Sequence, residues 1–136
     1  MTRSIIAFIT ALLLMMLLLS CTKHKDDFVS DIPQSHIVFS SPTEGGVFFA
    51  GDSVRIQARA TSTHTIHGYD VAVRKVNDTT LLYFKNVHDH NDTLLVNQSW
   101  KNIVDISAQL EASVTLYLDH DGNTNTRKVT FSTRIR

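Results

Sequence analysis

From residue 36 onward the chain alternates apolar and polar positions in short runs, the period of two that a strand shows when one face is buried and one is wet. Ile37-Val38-Phe39 is the first run, closed by Ser40-Ser41-Pro42. Glu44-Gly45-Gly46 turns the chain into a short edge piece, Val47-Phe48-Phe49, and Ala50-Gly51-Asp52 turns it again. Val54, Ile56, Ala58 and Ala60 then alternate with Arg55, Gln57 and Arg59, and Tyr69, Val71 and Val73 alternate with Asp70, Ala72 and Arg74. Asn77-Asp78 marks a turn. Leu81 to Val87 and Thr93 to Trp100 are two further strands; Val114, Leu116 and Leu118 alternate with Thr115, Tyr117 and Asp119. Asp121-Gly122-Asn123 is a hairpin signal, and Val129, Phe131, Thr133 and Ile135 form the last strand.

The predicted strands are A (37–39, with the edge piece 47–49), B (53–61), C (68–76), D or C′ (81–87), E (93–100), F (112–119) and G (126–135). No stretch carries a helical period; Ile103 to Ser107 reads as a turn of helix or a loop. Seven strands in a domain spanning 36–136, with turn residues about every 8–12 positions, is the pattern of an all-β, immunoglobulin-like or fibronectin III-like sandwich. The Cys-Trp-Cys arrangement of antibody-type domains is absent, and Trp100 is expected in core or rim packing.

Residues 1–20 follow a different pattern. Arg3 supplies a short positive region, Ile5 to Leu19 is apolar except for Thr10, and Ser20 is the small residue before Cys21. The apolar run is 15 residues long, short of the ~20 that a spanning helix needs. No cationic stop precedes Cys21, which weighs against an anchor, and the Leu18-Leu19-Ser20-Cys21 ending weighs against an ordinary cleaved signal. That ending resembles a lipobox, where a bacterial lipoprotein precursor is lipidated on Cys and cut just before it. The resemblance implies a signal peptide over 1–20 and a lipid, palmitate included, on Cys21. Cys21 is the only cysteine, so it has no internal disulfide partner, and several acyl chains give stable anchoring where one is marginal. Thr22 in place of Asp after the Cys favours the outer membrane of a Gram-negative bacterium. Lys25-Asp26-Asp27 resembles a short surface-export signal and equally suits a solvated tether, so both periplasmic and surface-facing placements stay open. Residues 21–35 are the lipidated Cys and a polar linker whose flexible coil of about 14 residues spans ~20 Å.

Charge and composition narrow the function. Taking 20 residues from 136 leaves 116, and loss of Arg3 takes Lys+Arg from 13 to 12 against 13 Asp+Glu. A near-neutral chain without a basic stripe is not expected to bind nucleic acid. There is no Gly-x-Ser-x-Gly, no phosphate-cradling glycine loop and no His-Glu-x-x-His, and the only glutamates are Glu44 and Glu111, so no enzymatic activity is expected.

All seven histidines lie after Cys21. If successive strands run up and down, the chain start and the B–C, D–E and F–G connections share one end. That end collects His36, His64, His67, His88, His90 and His120, unless residues 103–109 add a strand and move His120 away. His88 and His90, at i and i+2 of an extended chain, reach toward one ion, and His64 and His67 stand three apart across a turn. The candidate metal ligands are therefore His64, His67, His88, His90 and His120, with Asp89, Asp92, Asp119 and Asp121 as alternatives or supporting partners. Imidazoles suit Zn²⁺, Cu²⁺ or Ni²⁺, and without thiolate or thioether a Cu(I) carrier is disfavoured. No cofactor is required by the sequence; Zn or Cu(II) is the one it admits. Asp119-x-Asp121-x-Asn123-x-Asn125 also alternates oxygen ligands as calcium loops do, without the acidic final ligand.

Over about residues 36–135, the stretches Ser41-Pro42-x-x-Gly45, Phe49-x-Gly51-Asp52, His67-Gly68-Tyr69, His88-x-His90 and Asp119-x-Asp121-Gly122-Asn123 resemble a loosely defined set of exported bacterial immunoglobulin-like domains. The resemblance implies a fold and a compartment and transfers no activity. Two readings follow. One is a tethered, non-catalytic module that binds an envelope protein or a glycan; the other is a lipoprotein that handles Zn²⁺ or Cu²⁺ through the histidine-bearing end.

Overall fold

The computed structural model describes Pro33–Arg136; the expectations for the signal segment, Cys21 and the tether up to Ile32 lie outside the described residues. Among the described residues every regular element is a strand: β1 (Ser35–Ser41), β2 (Val47–Phe49), β3 (Ser53–Ile66), β4 (Tyr69–Lys75), β5 (Leu81–Val87), β6 (Asn91–Lys101), β7 (Ala108–Tyr117) and β8 (Thr124–Arg134). They form two sheets, β1-β3-β6 and β2-β8-β7-β4-β5. Every pairing is antiparallel except β2 on β8.

The alternation read from the sequence is the alternation of burial. On β3, Val54, Ile56, Ala58 and Ala60 face the core, and on β7 Leu110, Ala112, Val114 and Leu116 meet them from the other sheet. Ile56, Val71, Leu110 and Leu116 are completely buried, and each such side chain contributes on the order of 2 kcal/mol through apolar surface withdrawn from water. Trp100 is part of this core.

Eight strands stand where seven were expected, because the 47–49 piece is not a continuation of the first strand. The chain changes sheet between Ser41 and Val47: Gly45 N–H donates to Thr130 O at 2.8 Å and Ser132 N–H donates to Gly46 O at 2.8 Å, which commits β2 to the β8 edge. β5, the strand expected as D or C′, pairs with β4 on the outer edge of the larger sheet, so it is C′-like. Residues 102–107 contain no strand, and the connection from β6 to β7 crosses from one sheet to the other without an added element.

That crossing is pinned by a buried polar side chain. Asn102 is 1% exposed. Its Nδ2 donates to Phe49 O at 3.0 Å and Thr133 Oγ1 at 2.5 Å, and its Oδ1 accepts from Val104 N–H at 3.2 Å. Its backbone exchanges bonds with the β2–β3 turn: Asn102 N–H donates to Asp52 O and Gly51 N–H to Asn102 O, both at 2.8 Å. One asparagine thus joins β2, the β6–β7 crossing and β8. Replacing it with the similarly sized Leu leaves buried backbone and hydroxyl groups without partners. Asn102→Leu is expected to lower unfolding stability by about 2–4 kcal/mol in urea titration; a loss below about 1 kcal/mol contradicts the bridging role.

Candidate functional site

The strand registers place one end of the sandwich unambiguously. Ser35 pairs with Ser62, Ile66 with Asn91, Tyr69 with Val87 and Leu116, and Tyr117 with Thr124. The start of β1, the β3–β4 turn, the β5–β6 loop and the β7–β8 loop therefore lie together. Asn125 Nδ2 reinforces this by donating to Ser35 O at 3.1 Å and Ser35 Oγ at 2.8 Å.

At this end four imidazoles form a contiguous cluster. The ring centre of His67 lies 4.2 Å from that of His120 and 5.0 Å from that of His90. His90 in turn lies 4.5 Å from His88, with their Nε2 atoms 2.9 Å apart, so that one ring donates to the other in the neutral pair. His67 comes from the β3–β4 turn, His88 and His90 from the β5–β6 loop, and His120 from the β7–β8 loop. His64 is placed otherwise. It is exposed near the end of β3, with Nδ1 3.1 Å from Thr63 Oγ1 and its N–H donating to Ser62 Oγ. His36 lies on β1 opposite Thr61. A groove between β1 and β8, lined among others by Ile37, Pro42, Glu44 and Lys128, includes none of the four clustered rings.

The backbone explains why the cluster forms. His67 N–H donates to Tyr117 O at 2.7 Å and Tyr117 N–H donates to Gly68 O at 3.0 Å, so the β3–β4 turn is clamped to the end of β7. Gly68 has φ +129, and a Cβ there would stand 2.6 Å from Val87 O and 3.3 Å from His88 Cα. Only glycine supplies both that conformation and that close approach. The missing side chain lets the β5–β6 loop settle against residues 67–68, while the clamp to Tyr117 brings His120, three residues further on, within 4.2 Å of the His67 ring.

Two carboxylates at this end, Asp119 and Asp89, are occupied in building loops. Asp119 Oδ1 accepts from the N–H groups of Asp121 and Asn123, both at 2.9 Å, and its Oδ2 accepts from Asn123 Nδ2 at 2.5 Å. These bonds, chiefly those from Asn123, hold its carboxyl below the usual range. The Asp119-to-Asn123 spacing is therefore the framework of a tight loop, with Asn123 donating to Asp119 where a calcium loop would have both turned toward an ion. Asp89 Oδ1 likewise accepts from His90 N–H at 2.7 Å and Asn91 Nδ2 at 2.6 Å. Beside the cluster, Tyr117 OH donates to Asp70, whose other oxygen accepts from Asn86 Nδ2 at 2.6 Å. The bond to Asp70, with partial burial, raises the Tyr117 hydroxyl above its ordinary range.

His67 is the half-buried member, and its Nδ1 is enclosed without a hydrogen-bond partner. Partial burial, then the neighbouring imidazoles His120 and His90, push its pKa down; Asp119 opposes them weakly and His88 adds to them. Among the described residues no three ligating side chains already converge on one ion position. The sequence pointed to the histidines but not to what gathers them. The one available signal was a glycine between His67 and Tyr69 at a strand start, where a strand-forming residue is otherwise preferred.

No protein-family model and no curated protein matches this chain. Among solved structures, the chain is similar to the fibronectin(III)-like modules of Clostridium thermocellum CbhA, at 17% identity and a TM-score of 0.47, over 73% of this chain and 96% of that one.

Because the fold favours neutral His67, the unfolded chain binds the proton more readily. Nothing is lost above the ordinary value of 6.5, and stability falls as pH drops below it toward the folded midpoint. In chelator-treated buffer, an NMR titration is expected to give His67 a midpoint below 6.5, and a midpoint at or above 6.5 contradicts the cluster's electrostatics.

Proposed function

We propose that the chain is a cell-envelope lipoprotein, held in the outer membrane by lipid on Cys21, whose sandwich is a non-catalytic binding module working through its histidine-bearing end. The observation that carries this reading is the convergence of His67, His88, His90 and His120 from three separate connections onto one end. Loops at the ends of sandwich domains are free to vary without disturbing the core, and that is where such domains place their binding surfaces. None of the four histidines is among the buried residues of the sandwich. The apolar run ending in Leu18-Leu19-Ser20-Cys21 supports the anchor, and the polar stretch up to residue 35 supports a short tether. An envelope protein or a glycan is the partner class that such an end meets at a membrane surface. The lack of a recognisable nucleophile–base motif in the sequence supports binding rather than catalysis.

The test uses the full chain in a Gram-negative host grown with a clickable palmitate analogue. The label is expected on the wild-type chain and absent from Cys21→Ala. A photocrosslinking residue at the exposed Asp121, in the loop end, is expected to yield envelope adducts that the same residue at Asp105, beyond β6, does not. An unlabelled wild-type chain would remove the anchor, and adducts from position 105 alone would remove the loop end as the binding surface.

A further inference from the structure

We propose that the loop end is a transition-metal site, in which His67, His88, His90 and His120 hold one divalent ion of the Zn²⁺ or Cu²⁺ class. This gives a ligand to the binding end proposed above and rests on that reading.

The spacing of the rings supports it first. Two imidazoles bound to one ion at about 2.0–2.1 Å have ring centres about 5 Å apart. The three contacts within the cluster are 4.2, 4.5 and 5.0 Å. The three contacts run as a chain, His120–His67–His90–His88, whose nitrogens do not yet face one point. All four residues lie in connections between strands, so the gap is one for side chains and loops and not for the sheets. Rotation of a histidine ring about its last torsion is soft, and His88, His90 and His120 are exposed. The anchored member is His67, whose backbone is clamped to Tyr117 on one side and packed against Val87 through Gly68 on the other. One histidine on an anchored backbone and three exposed ones can adjust around a cation.

The chemistry of the donors points the same way. Imidazole nitrogen suits Zn²⁺ and Cu²⁺, and residues 33–136 contain neither Cys nor Met, so soft-ligand Cu(I) is not matched. Oxygen-seeking Ca²⁺ and Mg²⁺ are matched less well, because Asp119 and Asp89 are engaged by Asn123, Asn91 and loop N–H groups. Asp119 instead contributes a nearby fixed negative charge. Finally, His67 Nδ1 is buried without a partner, and a buried polar atom in that state calls for an occupant. A cation bound across the β3–β4, β5–β6 and β7–β8 connections would supply one for the cluster.

The test strips the full-length chain in detergent with a chelator and titrates it with ZnCl₂ and with CuSO₄ by calorimetry, with melting temperature read in parallel. One ion per chain is expected, at micromolar affinity or tighter, with a rise in melting temperature. The His88→Ala/His90→Ala double variant and His120→Ala are each expected to weaken binding by roughly a hundredfold or more, beyond the range of merely supporting residues, and to lose the thermal shift. His64→Ala, and His24→Ala in the polar stretch after Cys21, are expected to leave it intact. Because His120 lies in a different loop from His88 and His90, the two variants read the site independently of damage to either loop. Affinity no tighter than millimolar overturns the proposal, as does binding that survives both variants or disappears with His24→Ala alone. Palmitate labelling and loop-end crosslinking report the binding-module reading separately, so their success without metal binding retires the metal site alone.

Discussion

The bare backbone at Gly68 is the constraint on which the functional end depends. A side chain there would collide with the Val87 carbonyl, and the φ of +129 excludes other residues on conformational grounds as well. With nothing at that position, β5 runs its last residue directly against the start of β4. The reciprocal bonds between residues 67–68 and Tyr117 then hold β7 at the same level. Three connections that are remote in sequence become neighbours, and each of them carries histidine.

Order at the opposite end has a different cause. There the problem is topological: the chain leaves the smaller sheet after β6 and enters the larger one at β7, while β2 must be tied to β8 after its own change of sheet. Asn102 meets both needs by saturating its side-chain and backbone groups in one buried place. Between the two ends lies an apolar core to which β3 and β7 contribute facing rows and β4, β6 and β8 add further residues. The fold thus separates its tasks, with a polar staple at one end, a continuous apolar core in the middle, and a crowded set of titratable rings at the other end.

The architecture was legible because it follows a local rule. Val54, Ile56, Ala58 and Ala60 alternate in the chain and are buried in the fold, and the turns at Asn77-Asp78 and Asp121-Gly122-Asn123 fall where their chemistry requires. Strand parity also placed His67, His88, His90 and His120 at one end, since counting strands needs no knowledge of contacts. What local pattern does not carry is pairing. Val47-Phe48-Phe49 reads as an extension of the first strand and belongs to the other sheet, because its partner is decided by hydrogen bonds that Gly45 donates to β8 and Gly46 accepts from it. In the same way His64 and His67 look equivalent in the sequence, but β3 runs to Ile66, so His64 remains on a strand while His67 turns inward. The roles of Asn102, Gly68 and Asp119 depend on atoms many residues away, which no periodicity reports.

Everything proposed for this chain's activity rests on the proximity of His67 to rings from two other loops. The most direct measurement is a nuclear Overhauser spectrum of the chain with labelled histidine. Cross-peaks between the imidazole protons of His67 and those of both His120 and His90 are expected from ring centres 4.2 and 5.0 Å apart. Their absence, with the strand registers otherwise intact, would contradict the gathered loop end.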